Sequence, residues 1–583
     1  MIDMTEPGRD PIGSSREVRL RRIALIGVPI LLTLAVAAQT SLSRRSSSIT
    51  YDETFYIGVG VKTLHGGGLD ADLTKFGVAP LPLALNMVPG VWLAGASPHQ
   101  DVWAPRPDNR RLIDVPRMLT TLTTLVPLIL LAFGWLHHRR GLLAATLGAG
   151  MLATSPSLLA HASLATTDAA FAFLATLAAL AIGLYLRAPS PLRLALAAAA
   201  IGMAFAAKYT GVLLIPCFVL ARSFDFVRAW WTGSGGRTRL AARYAVDVAG
   251  CLAIAVLTAW ACHGFQLDPE RTWRGLHLPA FMRSFEYQLN HNKGGHPTFY
   301  AGVRALKGWW SYYPFTMLAK STLPELALAM GGFWAALRGL RSPTRGGLRI
   351  DRERAILIWF VMLLAVALMR SPLCLGHRYT LALYPAIILL AVDATAQAIR
   401  AGRMRKLWGA VLIGGQLATS LLAAPGYLSY FNPLFGGPDA AWQYLADSNI
   451  DWGQDLPALK ELVDRKQIKT LAVDYFGTAS LADYGIEADP ITALHRPLYE
   501  YDALAVSVTQ LNSVYPRPDG PLDPHVDLYK LLRRIPPQDR AGSSIFVYNL
   551  RRPGARQAFF ASMEAAWPAA VQAAARDSRS TTR

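Results

Sequence analysis

Runs of apolar residues long enough, or nearly long enough, to cross a bilayer recur about eleven times in this chain, and no soluble fold hides that many. They lie near 23–42, 113–136, 142–160, 169–186, 192–207, 209–222, 243–262, 316–337, 355–370, 379–396 and 407–426. The pair near 192–222 reads as two short spans or one re-entrant pair. Composition agrees: 52% of the 583 residues are hydrophobic and only 17% charged. The formal charge of +19 raises nucleic acid as a partner. The arginines, however, fall in short clusters between the runs rather than on one patch, so membrane topology accounts for them better.

The clusters set the expected sidedness. Arg16 to Arg22, His137 to Arg140, Arg187 to Arg193, Arg222 to Arg243, Arg338 to Arg354 and Arg400 to Lys406 occupy every second connection, the pattern of positive-inside sorting. This predicts a cytoplasmic N-terminus (1–22), a membrane module (23–426) and an extracytoplasmic C-terminus, in a multi-pass membrane protein. The basic start and small residues at Ala35 to Ala38 also imitate a signal peptide, but the length of the run favours an uncleaved first span. Within the module, a first loop (43–112) and a long loop (263–313) face the same side as the tail. Pro80, Pro82 and Pro89 predict a broken, membrane-associated segment around Gly77 to Ala96.

From about Tyr427 the pattern changes to turns, a helix at Asp455 to Lys466, and short strands at Thr470 to Tyr475, Ala503 to Val508 and Ser544 to Tyr548. The fold class is therefore an α-helical multispanning membrane protein with a small C-terminal α/β domain (427–551) and a helical or disordered end (552–583). Cys217, Cys251, Cys262 and Cys374 show no close pairing, which argues against disulfides or a zinc site.

Candidate chemistry gathers on the side away from the basic connections. Asp52 and Glu53 follow the first run closely, where a partly desolvated carboxylate gains basicity; two solvated loop acids are the plain alternative. Asp168 sits where one apolar run turns into the next, as a buried acid or a helix cap. The cations available for an anionic group are Arg378, His377, Lys320, Lys208 and Arg117, with Arg378 first because a guanidinium holds two phosphate oxygens at once. Snorkelling toward headgroups is the bland reading of each. Arg117 has Asp114 or Asp52 as alternative partners. His263, His291 and His296 match no compact metal motif. Trp309-Trp310 with Tyr312-Tyr313 reads as an interfacial aromatic belt, and DSNIDWGQD at Asp447 to Asp455 as turns and helix caps.

Several runs resemble a known family in order along nearly the whole chain: Asp52-Glu53 followed by Gly66 to Gly68, GGHPTFYAG (Gly294 to Gly302), GWWSYYPFTMLAKSTLP (Gly308 to Pro324), GHRYTLALYP (Gly376 to Pro385), YLSYFNPLFGGP (Tyr427 to Pro438), DSNIDWGQDL (Asp447 to Leu456) and SIFVYNL (Ser544 to Leu550). The chain resembles the family 39-type, protein O-mannosyltransferase-like membrane glycosyltransferases of the C-type (GT-C) fold, and its tail resembles their bacterial branch. The resemblance implies an inverting enzyme that moves one sugar, mannose by analogy, from a polyprenyl-phosphate carrier to an extracytoplasmic hydroxyl on protein, glycolipid or cell-envelope polymer. It implies Asp52 as base, Glu53 as its support, and Asp168 as the second acidic position. Some relatives use a divalent metal and others need no cofactor, and the residues do not choose. FGVAPLP after Lys75 departs from the Lys-Pro-Pro of many bacterial members, which ranks Lys75 low as a donor ligand. A secondary transporter and a lipid-linked oligosaccharide polymerase or ligase are the rival functions; the first predicts internal repeats, and none is seen.

Overall fold

The computed structural model describes residues 15–97, 110–232, 236–340, 351–398, 403–515 and 527–566. The start of the basic N-terminus, residues 98–109 of the first loop, parts of the Arg-rich connections (233–235, 341–350 and 399–402) and the polar end after 566 lie outside the described residues.

Each expected run falls on helix. Among the described residues six helices are long and apolar enough to cross a membrane: Arg19–Ser46, Arg111–Arg140, Asp168–Arg187, Tyr209–Trp231, Arg237–Cys262 and Lys406–Ala423. A bent pair, Leu142–Ala153 with Pro156–Ala162, supplies a seventh span if read as one. Shorter or more polar helices, Pro191–Ala207, Leu323–Leu340, Arg352–Arg370 and Leu383–Ala398, complete the bundle. The first helix belongs to it: Val36 is fully buried, and Gln39 takes a hydrogen bond from Ser420 at 2.7 Å.

Three runs differ from their expected form for local reasons. The run near 316–337 breaks at Ser321, whose extended backbone separates Tyr312–Lys320 from Leu323–Leu340. Thr322 and Glu325 cap the second piece reciprocally, Thr322 N donating to Glu325 Oε2 at 2.8 Å and Glu325 N to Thr322 Oγ1 at 3.1 Å. The run near 142–160 bends by 58° ahead of Pro156 at the first helical position. Around Gly77 to Ala96 the prolines do not break the helix: a π turn at Leu83–Met87 leads into Val88–Leu93, and Pro89 sits just past it. Thr121–Leu125 ahead of Pro127 repeats the arrangement. A proline clashes with the carbonyl four residues back, and widening one turn relieves the clash without ending the helix.

Arginine clusters far apart in sequence meet at one end of the bundle. Arg139 bonds Asp351, Glu353 (3.1 Å) and Asp393 (3.2 Å); Arg140 and Arg354 share Asp393; Arg187 reaches Glu353. The other end carries the first loop, the long loop and the tail. The long loop holds hairpins at Leu267–Trp273 with Leu276–Pro279 and at Thr298–Tyr300 with Val303–Ala305, around the helix Phe281–Gly294. Trp310 is exposed, but Tyr312 and Tyr313 are buried, Tyr313 donating to Leu373 O at 2.7 Å. That pair is core, and only part of the expected belt exists.

The tail is an α/β unit whose five-stranded sheet runs Asp489–Pro490, Leu471–Asp474, Ala503–Ser507, Ile545–Asn549 and Asp539–Ala541 in spatial order. The first three strands are parallel and the last two pairings antiparallel. Ala503–Ser507 is buried along its whole length, which explains its unbroken apolar run. The helix Leu456–Lys466 covers one face through Leu456, Leu459 and Leu462. Asp455 stands at its N-cap position, yet its carboxylate accepts from Ser543 N (3.0 Å) and Ser544 N (2.9 Å), so it staples the helix start to the sheet instead of capping the helix. Asp451 is equally enclosed, accepting from Thr509 N at 2.8 Å.

Burial pushes the Asp451 carboxyl up to about 7 despite its hydrogen bonds from Thr509. The folded tail therefore holds this proton more tightly than the unfolded chain does. Its contribution to stability is complete below about pH 4 and is lost as the pH rises to about 7. Thermal unfolding of the purified protein should show a midpoint that falls between pH 5 and pH 7.5. In Asp451→Asn, which keeps an oxygen for Thr509 and carries no charge, the fall should be visibly smaller.

Candidate active site

The helix Tyr51–Gly66 starts immediately after the first span, and consecutive residues on a helix point about 100° apart. Asp52 and Glu53 are thereby sent in different directions. Glu53 turns inward and is fully buried against Arg117, which grips it twice, Nε to Oε1 at 2.7 Å and Nη2 to Oε2 at 2.6 Å. Thr50 N (2.9 Å) and Ala165 N (2.7 Å) complete its shell. Burial alone would raise this carboxyl; the Arg117 charge and these hydrogen bonds hold it below the usual carboxylate range. Arg117 is fully buried too and donates to Ser48 O at 2.8 Å.

Asp52 faces a cavity of about 470 Å³. There it meets Arg378 Nη1 at 2.5 Å. Asp168, the first residue of its helix, lines the same cavity and accepts from Lys208 Nζ at 2.5 Å. Lys208 lies 3.9 Å from the Tyr379 ring centroid, and the Arg378 guanidinium lies 4.5 Å from that of Trp452. Burial opposes a charge on Arg378, but Asp52 and Asp168 outweigh it and raise its pKa well above the ordinary arginine value. Two buried polar atoms, Arg378 Nε and Asp168 Oδ2, have no hydrogen-bond partner among the described residues. Such atoms are costly unless something else satisfies them. The remaining wall is largely apolar and comes from Phe55, Phe76, Val78, Leu289, Leu364 and Leu368. The site is therefore charged at one end and greasy along its side.

The structure brings Asp52, Asp168, Lys208 and Arg378 into this cavity and keeps Glu53, Arg117, Lys320 and His377 out of its wall. Arg117 is consumed by Glu53, while Asp114 pairs with Arg110. Lys320 spends its ammonium on the carbonyls of Leu428 (2.8 Å) and Asn449 beneath the Phe431 ring. His377 is buried between Ser157 (3.2 Å) and Tyr384 (2.9 Å), and burial first, then the Lys320 and His161 charges, lower its pKa well below the ordinary value, so it stays neutral. These three replace the expected phosphate ligands with structural groups, because an apolar stretch can bury a cation only where protein acceptors receive it. Glu53 acts through position rather than contact. Lys75 is exposed beside Phe76.

The tail builds part of the site. Ser48 N donates to Gln454 O (2.8 Å), Tyr51 N to Trp452 O (3.0 Å), Ser48 Oγ to Gly453 O (2.6 Å), and Ile49 N to the Tyr484 hydroxyl oxygen at 3.1 Å. Gly453, at φ +85° with Phe476 O 2.9 Å from where a Cβ would stand, lets the strip itself lie close against the segment Tyr475 to Gly477 of the tail. The Asp447 to Asp455 strip is thus the dock for the first loop, beyond its turns. Trp452, Tyr56 and Tyr379 carry no one-dimensional mark of their place here; Thr50-x-x-Glu53 does, being a capping-box pattern.

A metal would need donors that this site does not gather. Asp168 offers one oxygen beside an ammonium, and no cluster of three or more His, Cys, Asp or Glu suited to a metal exists among the described residues. His291 and His296 approach each other, ring centroids 5.8 Å apart, but His296 packs on Tyr515 and His263 bonds Tyr209.

Removing Glu53's charge should unfold the loop, and removing Asp52's should not. Glu53→Gln strands a buried guanidinium and should cost about 3–5 kcal/mol in thermal unfolding. Asp52→Asn keeps an oxygen for Arg378, whose charge Asp168 still offsets, and should cost less, about 1–2 kcal/mol.

The chain matches no family profile and no curated protein. Among solved structures it is similar to ArnT from Cupriavidus metallidurans bound to undecaprenyl phosphate, with 18% identity, a TM-score of 0.44, and coverage of 78% of this chain and 73% of that one. It is also similar to the Archaeoglobus fulgidus oligosaccharyltransferase in complex with zinc and sulfate, with 14% identity, a TM-score of 0.41, and coverage of 83% of this chain and 68% of that one.

Proposed function

We propose that the chain is an inverting membrane glycosyltransferase of the GT-C type that moves a single sugar from a polyprenyl-phosphate carrier to an acceptor hydroxyl. The observation that carries this reading is the Asp52–Arg378 pair at the charged end of an apolar-walled cavity, with an unsatisfied guanidinium nitrogen beside it. Such a cavity suits a substrate with an anionic head and a greasy tail, and the four charged groups divide the work. Asp52 takes the proton of the acceptor hydroxyl as its oxygen attacks C1. The C1–O bond to phosphate breaks from the opposite face, and the electron pair leaves with lipid phosphate. Arg378 and Lys208 neutralise that charge, so no strong acid is required. Asp168 positions Lys208. No step passes through a metal.

Positive-inside sorting puts the arginine network in the cytoplasm and the cavity outside it. On this reading the protein sits in a bacterial inner membrane with its N-terminus cytoplasmic and its tail extracytoplasmic. Mannose is the first sugar to test, with protein hydroxyls, a glycolipid or an envelope polymer as acceptor. The polymerase or ligase reading would use a lipid-linked oligosaccharide in the same cavity, and donor length separates the two.

The purified protein in lipid, offered a panel of polyprenyl-phosphate sugars, should turn over at least one of them. Asp52→Asn should lower that rate by about 10²–10⁴-fold without unfolding the protein. Wild-type turnover in Asp52→Asn would remove the base assignment, and no turnover with any donor would return the transporter reading to first place.

A further inference from the structure

At the opposite end of the bundle lies a second cavity, of about 770 Å³, lined by Arg139, Arg140, Arg187, Arg228 and Arg352 among others. The helix that starts at Asp168 in the first cavity ends at Arg187 in this one; its 20 residues span about 30 Å, the thickness of a bilayer core. The second cavity therefore sits at the other membrane face, remote from the chemistry.

Its arginines are not equally occupied. Arg139 is clamped by Asp351, Glu353 and Asp393 and is part of the frame. Arg187 reaches only Glu353, at 3.4 Å, and remains 58% exposed; Arg352 holds Asp225 at 3.1 Å and remains 41% exposed. Arg228 is exposed and has no ion pair among the described residues. Including Arg354 behind the wall, six guanidiniums face the four carboxylates Asp225, Asp351, Glu353 and Asp393. A rigid cavity with surplus guanidiniums is matched to phosphate oxygens.

What favours a lipid over free phosphate is the surface beside the rim. Arg228 lies on the helix Leu214–Trp231, which also exposes Phe224, Val227 and Trp231, the last to 83%. An exposed tryptophan at a helix end marks headgroup depth, and the apolar side chains below it face acyl chains. We propose that this cavity binds a phosphate anion, and that its source is the headgroup of an anionic phospholipid, held by Arg187, Arg228 and Arg352. The site is independent of the catalytic reading, because no residue in it belongs to the first cavity.

The test uses the full chain in phosphatidylcholine nanodiscs with and without phosphatidylglycerol, read by thermal unfolding and by native mass spectrometry of retained lipid. Phosphatidylglycerol should raise the midpoint and be retained where phosphatidylcholine is not. R187Q/R228Q should weaken retention by about thirtyfold, two basic contacts' worth, while R187K/R228K retains much of it and shows that the fold survives. Inorganic phosphate that stabilises the protein in phosphatidylcholine as well as phosphatidylglycerol does would support the anion site and overturn the lipid source. Equal retention of both lipids by the wild type, or retention unchanged in R187Q/R228Q, would overturn the site.

Discussion

A carboxylate and a guanidinium with no exposed surface, Glu53 and Arg117, decide where the first loop of this protein can lie. Neither charge could be buried alone, since each would forfeit its hydration for nothing. Together they draw in Ser48 O, Thr50 N and Ala165 N, so the loop after the first span, the start of the next helix and the turn before Asp168 are fixed to the helix Arg111–Arg140. With Glu53 locked inward, helical geometry leaves Asp52 facing the cavity. The adjacent acid pair is therefore one buried structural group and one that faces the cavity, and the burial of the first is what aims the second.

The tail completes this constraint from the other side. Main-chain bonds from Ser48 and Tyr51 to Gln454 and Trp452 make the loop continuous with the strip before the helix Leu456–Lys466, and Trp452 in turn underlies Arg378. Gly376, at φ +112° and with Ser448 Oγ 2.3 Å from where a Cβ would stand, lets the turn bearing Arg378 lie against the same strip. Acid and cation are thus both referenced to one segment of the tail. The α/β unit serves as the wall against which the two halves of the site are registered.

The spans were legible because apolar length is a local property, and the common side of Asp52, Asp168, Lys208 and Arg378 followed from alternation of the connections. The tail's three main strands were legible for the same reason, being short continuous apolar runs. What local pattern could not supply was the partner of each cation. Lys320 and His377 look like Lys208 and Arg378 in sequence, each beside an apolar run, and differ only in whether the fold offers carbonyls and hydroxyls or an open cavity. Thr50-x-x-Glu53 and Thr322-x-x-Glu325 were readable as capping boxes and would have marked Glu53 as structural and the run near 316–337 as two helices. The pairing of Tyr312 and Tyr313 with the core was not readable, since aromatic clusters at a membrane face look alike whether they point to lipid or inward.

The helix Asp168–Arg187 ties the two ends of the molecule together. It is rich in alanine, its glycine at 183 lets Glu353 approach to within 3.0 Å of where a Cβ would stand, and it is buried along most of its length. In lipid, packing of small residues gives close contact but tolerates sliding, because one alanine surface fits another in several registers. The polar clamps remove that freedom. Lys208 holds Asp168 at one end and Glu353 holds Arg187 at the other, so a slip of one turn would carry both ends about 5.4 Å from their partners. The position of Asp168 in the cavity is accordingly set by its own buried pairing with Lys208, to which the contact of Arg187 with Glu353, 3.4 Å long and with the arginine 58% exposed, adds little.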